Sequence, residues 1–404
     1  MSNSARFDVC VVGAGLVGLS VARALVDSHP GLALAVLDKE DEVGRHQSSH
    51  NSGVVHSGLY YRPGSLKARL CVEGRRSVYE LCEAEGIPYD RSGKLVIATD
   101  PAELPALDEL ERRGTANGLV GMRRLGAEEI SEYEPEATGI AAIHVPEAGV
   151  ADFPAIAGHH AAVLAETGAE IVTDAEVTWI GHDVDGVSLV AGDRQLTARV
   201  LINCAGLHSD RVAALAGVES QVRIVPFRGE YYRLTEDAAP LVRTLIYPVP
   251  DPRFPFLGVH FTRRIDGSVE VGPNAVLAIG REHYRGANPD WAELRSVLGN
   301  PGFRKLAMRH WRSGTSEMLN SRSKRLYARL ARRLVPALRR EHLVAGGAGV
   351  RAQAVDPTGK LVDDFVIEEA GNSVHVLNAP SPGATAAIAI GRHIAGRVAP
   401  LLRG

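Results

Sequence analysis

The chain has 404 residues, enough for two or more domains and an ample core, and 45 Lys and Arg against 48 Asp and Glu leave a net charge of −3. That balance gives no reason to expect a nucleic-acid partner. No apolar run reaches the roughly eighteen residues of a membrane span, and the four cysteines define no disulfide framework.

Phe7 to Val12 is a short apolar run of strand length, followed without a gap by Gly13-Ala14-Gly15-Leu16-Val17-Gly18. Leu19 to Val26 reads as a helix, and Leu32 to Leu37 as a second strand ending at Asp38. Strand, glycine turn, helix, strand and acid in this order predict a dinucleotide site. Gly13 permits the tight turn, Gly15 lets a pyrophosphate approach the backbone, and Gly18 lets helix and strand pack closely. The helix N-terminus offers unpaired N–H groups to the phosphates. Asp38, twenty residues past Gly18, suits the ribose hydroxyls. Lys39 beside it is a further candidate contact. A tight turn with no ligand would leave Asp38 unexplained. This apolar start is broken by glycines, so it reads as structural strand and not as a signal peptide.

A polar, histidine-rich stretch runs from Arg45 to Tyr61, and Pro63-Gly64-Ser65 opens a helix that stops near Gly86. Lys94 to Thr99 reads as a strand, Glu103 to Asn117 as a helix, and polar turns run on to Pro135. A helix from Phe153 to Thr167 is closed by Gly168. Strands follow at Glu170–Thr173, Glu176–Ile180, Val187–Val190 and Arg199–Ala205, then a helix at His208–Ala216. From Val222 the texture changes to antiparallel strands at Tyr231–Leu234, Val259–Thr262 and Ser268–Val271, with a hairpin turn at Asp266-Gly267. Cys10 and Cys204 fall in strands, and Cys71 and Cys82 in one helix, which suits reduced thiols in the cytoplasm.

Between Phe303 and Leu343 stand Arg304, Lys305, Arg309, Arg312, Arg322, Lys324, Arg325, Arg329, Arg332, Arg333, Arg339 and Arg340, opposed only by Glu317 and Glu341. Leu326, Leu330, Leu334 and Leu338 recur every four residues, so Lys324 to Arg340 is expected to be an amphipathic helix with a basic outer face. Three readings stay open: a solvated helix, a face resting on anionic lipid at the inner side of the cell membrane, or a surface that attracts an acidic substrate.

From His342 the chain returns to glycine-rich βαβ texture, ending in a strand at Val374–Leu377, a turn at Ala379-Pro380-Ser381-Pro382-Gly383 and a helix at Ala384–Ala395. The fold class is thus mixed α/β: a Rossmann-like nucleotide domain with an inserted antiparallel β-rich substrate domain. The nucleotide domain is expected to comprise residues 1–90, 147–220 and 341–404. The substrate domain takes 91–146 and 221–340, the last with its basic helical segment at 303–340. A binding unit assembled from three parts of the chain suits a long, resident FAD better than a visiting NAD. Small-residue turns at Ala205-Gly206 and Pro382-Gly383-Ala384 are placed to surround it. A single GxGxxG leaves no second nucleotide site, so the electrons depart by another route.

The stretch His46-Gln47-Ser48-Ser49-His50-Asn51-Ser52-Gly53-Val54-Val55-His56-Ser57-Gly58-Leu59-Tyr60-Tyr61-Arg62-Pro63-Gly64-Ser65-Leu66-Lys67 resembles the L-2-hydroxyglutarate dehydrogenase/oxidase family, within the D-amino-acid-oxidase-like group of FAD oxidoreductases. Pro226–Tyr231, Leu245–Pro252, Gly272–Ala275, Gly349–Val355 and Asn378–Pro382 match in the same order. Asp38 departs from the family, which commonly has Glu there, and the arginines from 303 to 340 are denser than usual. The resemblance implies oxidation of (S)-2-hydroxyglutarate to 2-oxoglutarate with non-covalent FAD, the electrons passing to quinone or oxygen. Rival functions are an FAD-dependent amino-acid or amine oxidase on the same scaffold and a non-enzymatic flavin redox module.

Such chemistry needs a positioned substrate, a base and cations for two carboxylates. The resemblance points to Arg351 as the carboxylate clamp, because related FAD oxidases place a substrate arginine in a similar segment. Lys360 and Arg228 are further candidates for the distal carboxylate. His56, in the loop that the group sets against the flavin, and His260, on a substrate-domain strand, are candidates for the base. Tyr60 and Tyr61 are candidate pocket walls. Ser52, Gly53, Val177, Ala205, Gly206, Pro382, Gly383 and Ala384 complete the expected cofactor contacts. Each charge or histidine could instead be structural. His46, His50 and His56 match no zinc pattern, so no metal is expected.

Overall fold

The fold is seen in a computed structural model that describes residues 5–184, 186–251, 258–273, 276–284, 289–309 and 323–403. Arg312, Glu317, Arg322, Pro252, Asn274 and Ala275, used in the sequence reading, lie outside the described residues.

An eight-stranded sheet is built around five parallel strands, in the order Ser373–Asn378, Arg194–Asn203, Ala5–Val12, Leu34–Leu37 and Glu170–Val172. All four residues of Leu34–Leu37 are buried, as a strand covered on both faces requires. The hairpin Val177–Asp183 and Gly186–Ala191 continues antiparallel from the first half of Arg194–Asn203, and Val366–Ala370 pairs antiparallel with Ser373–Asn378. Helices Leu16–Ser28, Leu66–Glu85, Phe153–Glu166 and Gly383–Arg403 share one continuous apolar core with the parallel strands. Their ends follow local rules. Ser65 Oγ accepts from the Ala68 N–H, Gly86 closes the helix in the left-handed region, and Asp152 caps Phe153–Glu166 through the Ala155 N–H.

The second sheet has nine strands and a core of its own. Its order is Val276–Leu277, Arg223–Leu234, Val269–Gly272, His260–Arg263, Leu245–Pro248, Lys94–Ala98, Ala141–Val145 and Arg123–Gly126, and Leu343–Val355 also pairs with Arg223–Leu234. The last pairing runs from Arg223↔Val355 to Leu234↔Leu343. The glycine-rich stretch after His342 therefore belongs to this sheet, and the chain rejoins the first sheet only at Val366. Small strands Val54–Val55, Gly149–Ala151 and Tyr89–Asp90 form a third sheet.

Two expectations need correction. The polar turns before Pro135 contain the strand Arg123–Gly126 and the helix Ala127–Tyr133. The helix is too short to show a clear period. It is anchored by buried Glu134, whose carboxylate accepts the N–H groups of Arg243 and Thr244. The basic helix is also shorter than its leucine spacing predicts: it spans Lys324–Ala331, and turns follow. Pro336 has no N–H to give and its ring opposes the carbonyl of Arg332, so the helix cannot run on to Arg340. Leu334 and Leu338 are still buried in the core of the second sheet, together with Tyr327, Ala328 and Ala331.

Two histidines far from each other in sequence are buried neutral. His375 Nδ1 accepts from Asn203 Nδ2 (3.1 Å), so its Nε2–H donates to Ser373 Oγ (2.9 Å). His160 has no partner at either ring nitrogen among the described residues. Burial lowers both to about 4. The unfolded chain then binds more protons than the folded one below the ordinary histidine value near 6.5, and stability falls with pH from there toward 4. The expected loss is roughly 1.4 kcal/mol per histidine per pH unit in that window. Thermal melting between pH 7 and 5 measures it, and His160→Leu should flatten the slope.

Candidate active site

The strand Ala5–Val12 turns sharply into the helix Leu16–Ser28. Gly13 has φ +106°, and a Cβ there would lie 2.5 Å from the Cys204 carbonyl oxygen. A Cβ on Gly18 would collide with the Gly13 carbonyl. N-cap Gly15 provides no side-chain cap and the first turn has no acid. The positive end of the helix dipole is therefore unbalanced by side chains. The Leu16 N–H donates to Ser48 Oγ (2.9 Å). Asp38 braces the turn, its Oδ2 accepting from the Ala14 N–H (2.6 Å) and its Oδ1 from the Glu40 N–H (3.0 Å).

This turn opens onto a cavity of about 850 Å³ that extends into the second sheet. Gly13, Gly15, Asp38, Lys39, Ser52, Val177, Ala205, Gly206, Pro382, Gly383 and Ala384 line it, as do His56, Tyr60, Tyr61, His260 and Arg351. Gly18 lies beneath the wall as a packing contact. Gly53 is not a wall residue. Its φ is +72°, and its carbonyl accepts from the Ala151 N–H (2.9 Å), so it shapes the loop. Arg228 and Lys360 are also corrected. Side chains alternate along Arg223–Leu234, so Gly229 and Tyr231 line the cavity while Arg228 lies on the opposite face, 3.4 Å from Glu230. Lys360 is exposed, in a turn where its N–H donates to Asp356 Oδ1 (3.0 Å).

At the second-sheet end, charge and aromatic rings gather. Arg351 hydrogen-bonds with Tyr231. The His56 N–H donates to Thr385 Oγ1 (3.0 Å), and its Nδ1 is buried with no partner among the described residues. His260 Nδ1 lies 2.8 Å from the Gly258 carbonyl oxygen, which makes Nδ1 the donor and leaves Nε2 as an acceptor. The His260 ring stacks on Tyr247 with centroids 4.0 Å apart. Burial, reinforced by Lys94, holds His56 well below the ordinary histidine value and takes His260 down to about 3. Both rings are thus neutral, each with one ring nitrogen free of a proton. Lys67 Nζ pairs with Asp363 (2.8 Å) and lies 4.9 Å from the centre of the Tyr61 ring.

Lys94 is the residue that the sequence reading overlooked. It is 1% exposed and heads the otherwise apolar strand Lys94–Ala98. Its Nζ is 4.0 Å from the Tyr247 ring centre and 5.3 Å from that of Tyr60. The one local signal was a charge at the head of a run of apolar residues.

Near Asp38, Lys39 pairs with Glu40 and with Glu282 (2.7 Å), His46 contacts Glu40 (2.9 Å), and His208 contacts Glu282 (2.7 Å). Glu40, His46 and Glu282 offer ligand atoms within 4.8 Å of one another, with the Lys39 ammonium among them. Hydrogen bonds from His208 and Lys39 hold Glu282 down to about 2.

These walls suit a long dinucleotide. The glycine turn excludes any Cβ, two helix N-termini near Gly15 and Gly383 carry no acid in their first turns, and wall atoms His46 Nδ1, His56 Nδ1 and Tyr60 Oη are buried without partners among the described residues. Fold and cavity together define a flavin-dependent oxidoreductase, and residues 8–397 match the family model of FAD dependent oxidoreductases. The chain is 45% identical to L-2-hydroxyglutarate dehydrogenase of Indibacter alkaliphilus, covering 95% of this chain and 97% of the relative. It is 41% identical to the human mitochondrial L-2-hydroxyglutarate dehydrogenase, covering 98% and 89%. L-alpha-glycerophosphate oxidase of Mycoplasma pneumoniae, solved with FAD bound, shares the fold with a TM-score of 0.79 at 24% identity, covering 99% of this chain and 95% of that one. The chain belongs to the L-2-hydroxyglutarate dehydrogenase family, and its cofactor is FAD.

Gly18→Val should force the glycine turn away from the helix and leave most of the purified protein colourless. The flavin-to-protein absorbance ratio measures this, with far-UV circular dichroism checking that the fold persists.

Proposed function

We propose that the protein oxidises L-2-hydroxyglutarate, the (S) enantiomer, at C2 to 2-oxoglutarate. One observation carries the reading: Arg351, His56 and His260 meet at one end of a cavity whose other end is the glycine turn. The C2 hydroxyl loses its proton and the C2 hydrogen leaves as hydride with the electron pair of the C2–H bond, so C2–O becomes a carbonyl. When bound, FAD supplies the acceptor for that hydride at its N5 position.

The chain does the rest. Arg351 forms a bidentate pair with the C1 carboxylate, and Tyr231 steadies the guanidinium. His260 Nε2 or His56 Nδ1 takes the hydroxyl proton, since neither is committed elsewhere among the described residues. The Thr385 hydroxyl, which donates to the Val54 carbonyl (3.2 Å) and accepts from the His56 N–H, locks that loop against the C-terminal helix. Tyr60, Tyr61 and Tyr247 wall off the same end. The Gly13–Val17 turn, Asp38, Lys39, Ala205–Gly206 and Pro382–Ala384 hold the cofactor.

Electrons then pass to quinone or oxygen. Exposed Trp291, Leu298 and Met308 lie close in sequence to exposed Arg295, Arg304, Lys305 and Arg309. An apolar and cationic surface of this kind supports a peripheral seat on anionic lipid, and with it a quinone. No helix among the described residues is long and apolar enough to cross a membrane.

Anaerobic mixing with L-2-hydroxyglutarate should bleach the flavin band. Arg351→Ala should raise the substrate concentration needed by roughly 100-fold, as expected when one side of a desolvated charge pair is lost. An unbleached wild-type holoenzyme would sink the assignment. In flotation with vesicles containing anionic lipid, the protein should bind at low salt and detach at high salt, whereas failure to bind at any salt removes the lipid seat.

A further inference from the structure

We propose that Lys94 is the cation for the distal carboxylate of the substrate, and that it sets the preference for a diacid over a monocarboxylic 2-hydroxy acid; this rests on the reaction proposed above. Among the described residues, the other deeply buried cations are matched. Arg75 meets Glu147 (2.5 Å) and the Ser57 carbonyl (2.8 Å), Lys67 meets Asp363, and Arg281 meets Asp210 and Glu293. The Lys94 ammonium makes no hydrogen bond or ion pair with any described residue, although the side chain is 1% exposed. An unmatched charge at that depth is costly unless something arrives to pair with it.

Its position identifies that something. Nζ is flanked by the Tyr247 and Tyr60 rings, and both line the cavity. The Tyr60 hydroxyl also lacks a partner among the described residues. Tyr247 connects the two cations. Its ring lies beneath Lys94, and its hydroxyl lies within electrostatic reach of the Arg351 guanidinium. Arg351 lines the cavity, and Lys94 lies directly behind the Tyr60 and Tyr247 rings of the same wall, with His56 and His260 in the field of both cations. Two cations with a proton acceptor in the field of both match a carbon chain bearing a carboxylate at each end and a hydroxyl near one of them.

Burial brings the ammonium down to about 7, so the empty site is only partly charged at neutral pH. A bound carboxylate favours the charged form, and binding of the diacid should take up a proton. The groups facing Lys94 are Tyr60, Tyr247, Cys71, His56 and His260, with Lys67 and Arg351 beyond. The phenols and the thiol are held high and the histidines low, all by burial. A pH effect near 7 would therefore report on Lys94.

The test compares wild-type holoenzyme with Lys94→Met, a volume-matched change that removes a buried charge, and with Lys94→Gln. Bound flavin and melting temperature check folding. Calorimetric titration with glutarate and with butyrate reads binding without turnover. Stopped-flow flavin reduction compares L-2-hydroxyglutarate with L-2-hydroxybutyrate. We expect either variant to weaken glutarate and L-2-hydroxyglutarate roughly 10- to 100-fold while leaving the monoacids unchanged. Wild-type affinity for glutarate should decline above pH 7, and that slope should vanish in Lys94→Met. Unchanged diacid affinity, or equal losses for diacid and monoacid, would overturn the proposal. If L-2-hydroxyglutarate fails to bleach the wild type, the reaction assignment fails, and the glutarate titrations still decide the role of the lysine as a carboxylate site.

Discussion

Between Gly13 and the backbone of Cys204 there is no room for a Cβ, and between Gly18 and the Gly13 carbonyl there is none either. This contact brings the first helix onto the ends of two parallel strands, Ala5–Val12 and Arg194–Asn203, and leaves its N-terminus open toward the cavity. Asp38 ties the next strand to the same turn through the Ala14 N–H. The C-terminal helix shares the core with the first helix, so Pro382 to Thr385 reach the site from the far end of the chain. There Thr385 holds the backbone of His56, a hydrogen bond spanning 329 positions of sequence. The glycine turn and the His56 loop are thus tied together through the C-terminal helix.

The second sheet organises charge across its width. From Leu343–Val355 through Arg223–Leu234, Val269–Gly272, His260–Arg263 and Leu245–Pro248 to Lys94–Ala98, neighbouring strands contribute Arg351, Tyr231, His260, Tyr247 and Lys94. Cations and aromatic faces alternate there, and the histidines among them stay neutral because burial and nearby positive charge both disfavour a second proton. A site charged in this way is repelled by cations and completed by an anion. The carboxylates nearest the glycine turn are already engaged: Asp38 with backbone N–H groups, and Glu40 and Glu282 with Lys39.

Much of the nucleotide end was legible in the chain because it is built from neighbours. A strand, a glycine turn, a helix and an acid within forty residues carry their own geometry, and helix ends at Ser65 and Gly86 follow from caps. The substrate end was less legible. Arg228 has the charge for a carboxylate but occupies the wrong side of a pleat, and Lys360 sits on an exposed turn. Lys94 read as an ordinary strand residue. The leucines of the basic segment kept a helical spacing past Ala331, where the helix ends, because packing on the second sheet demands buried leucines in turns as well.

By itself the sequence determined the βα turn, the presence of an acid at the end of its second strand, the order of the main elements, and the naming of Arg351, His56 and His260 as candidates. Each of these rests on spacing along the chain or on family resemblance. Only the tertiary structure decided which strand joins which sheet, which cations face the cavity and which are matched elsewhere. The reason is physical: a strand's side chains alternate between two faces, and a buried charge is defined by the partners around it. Both depend on residues brought together from hundreds of positions apart.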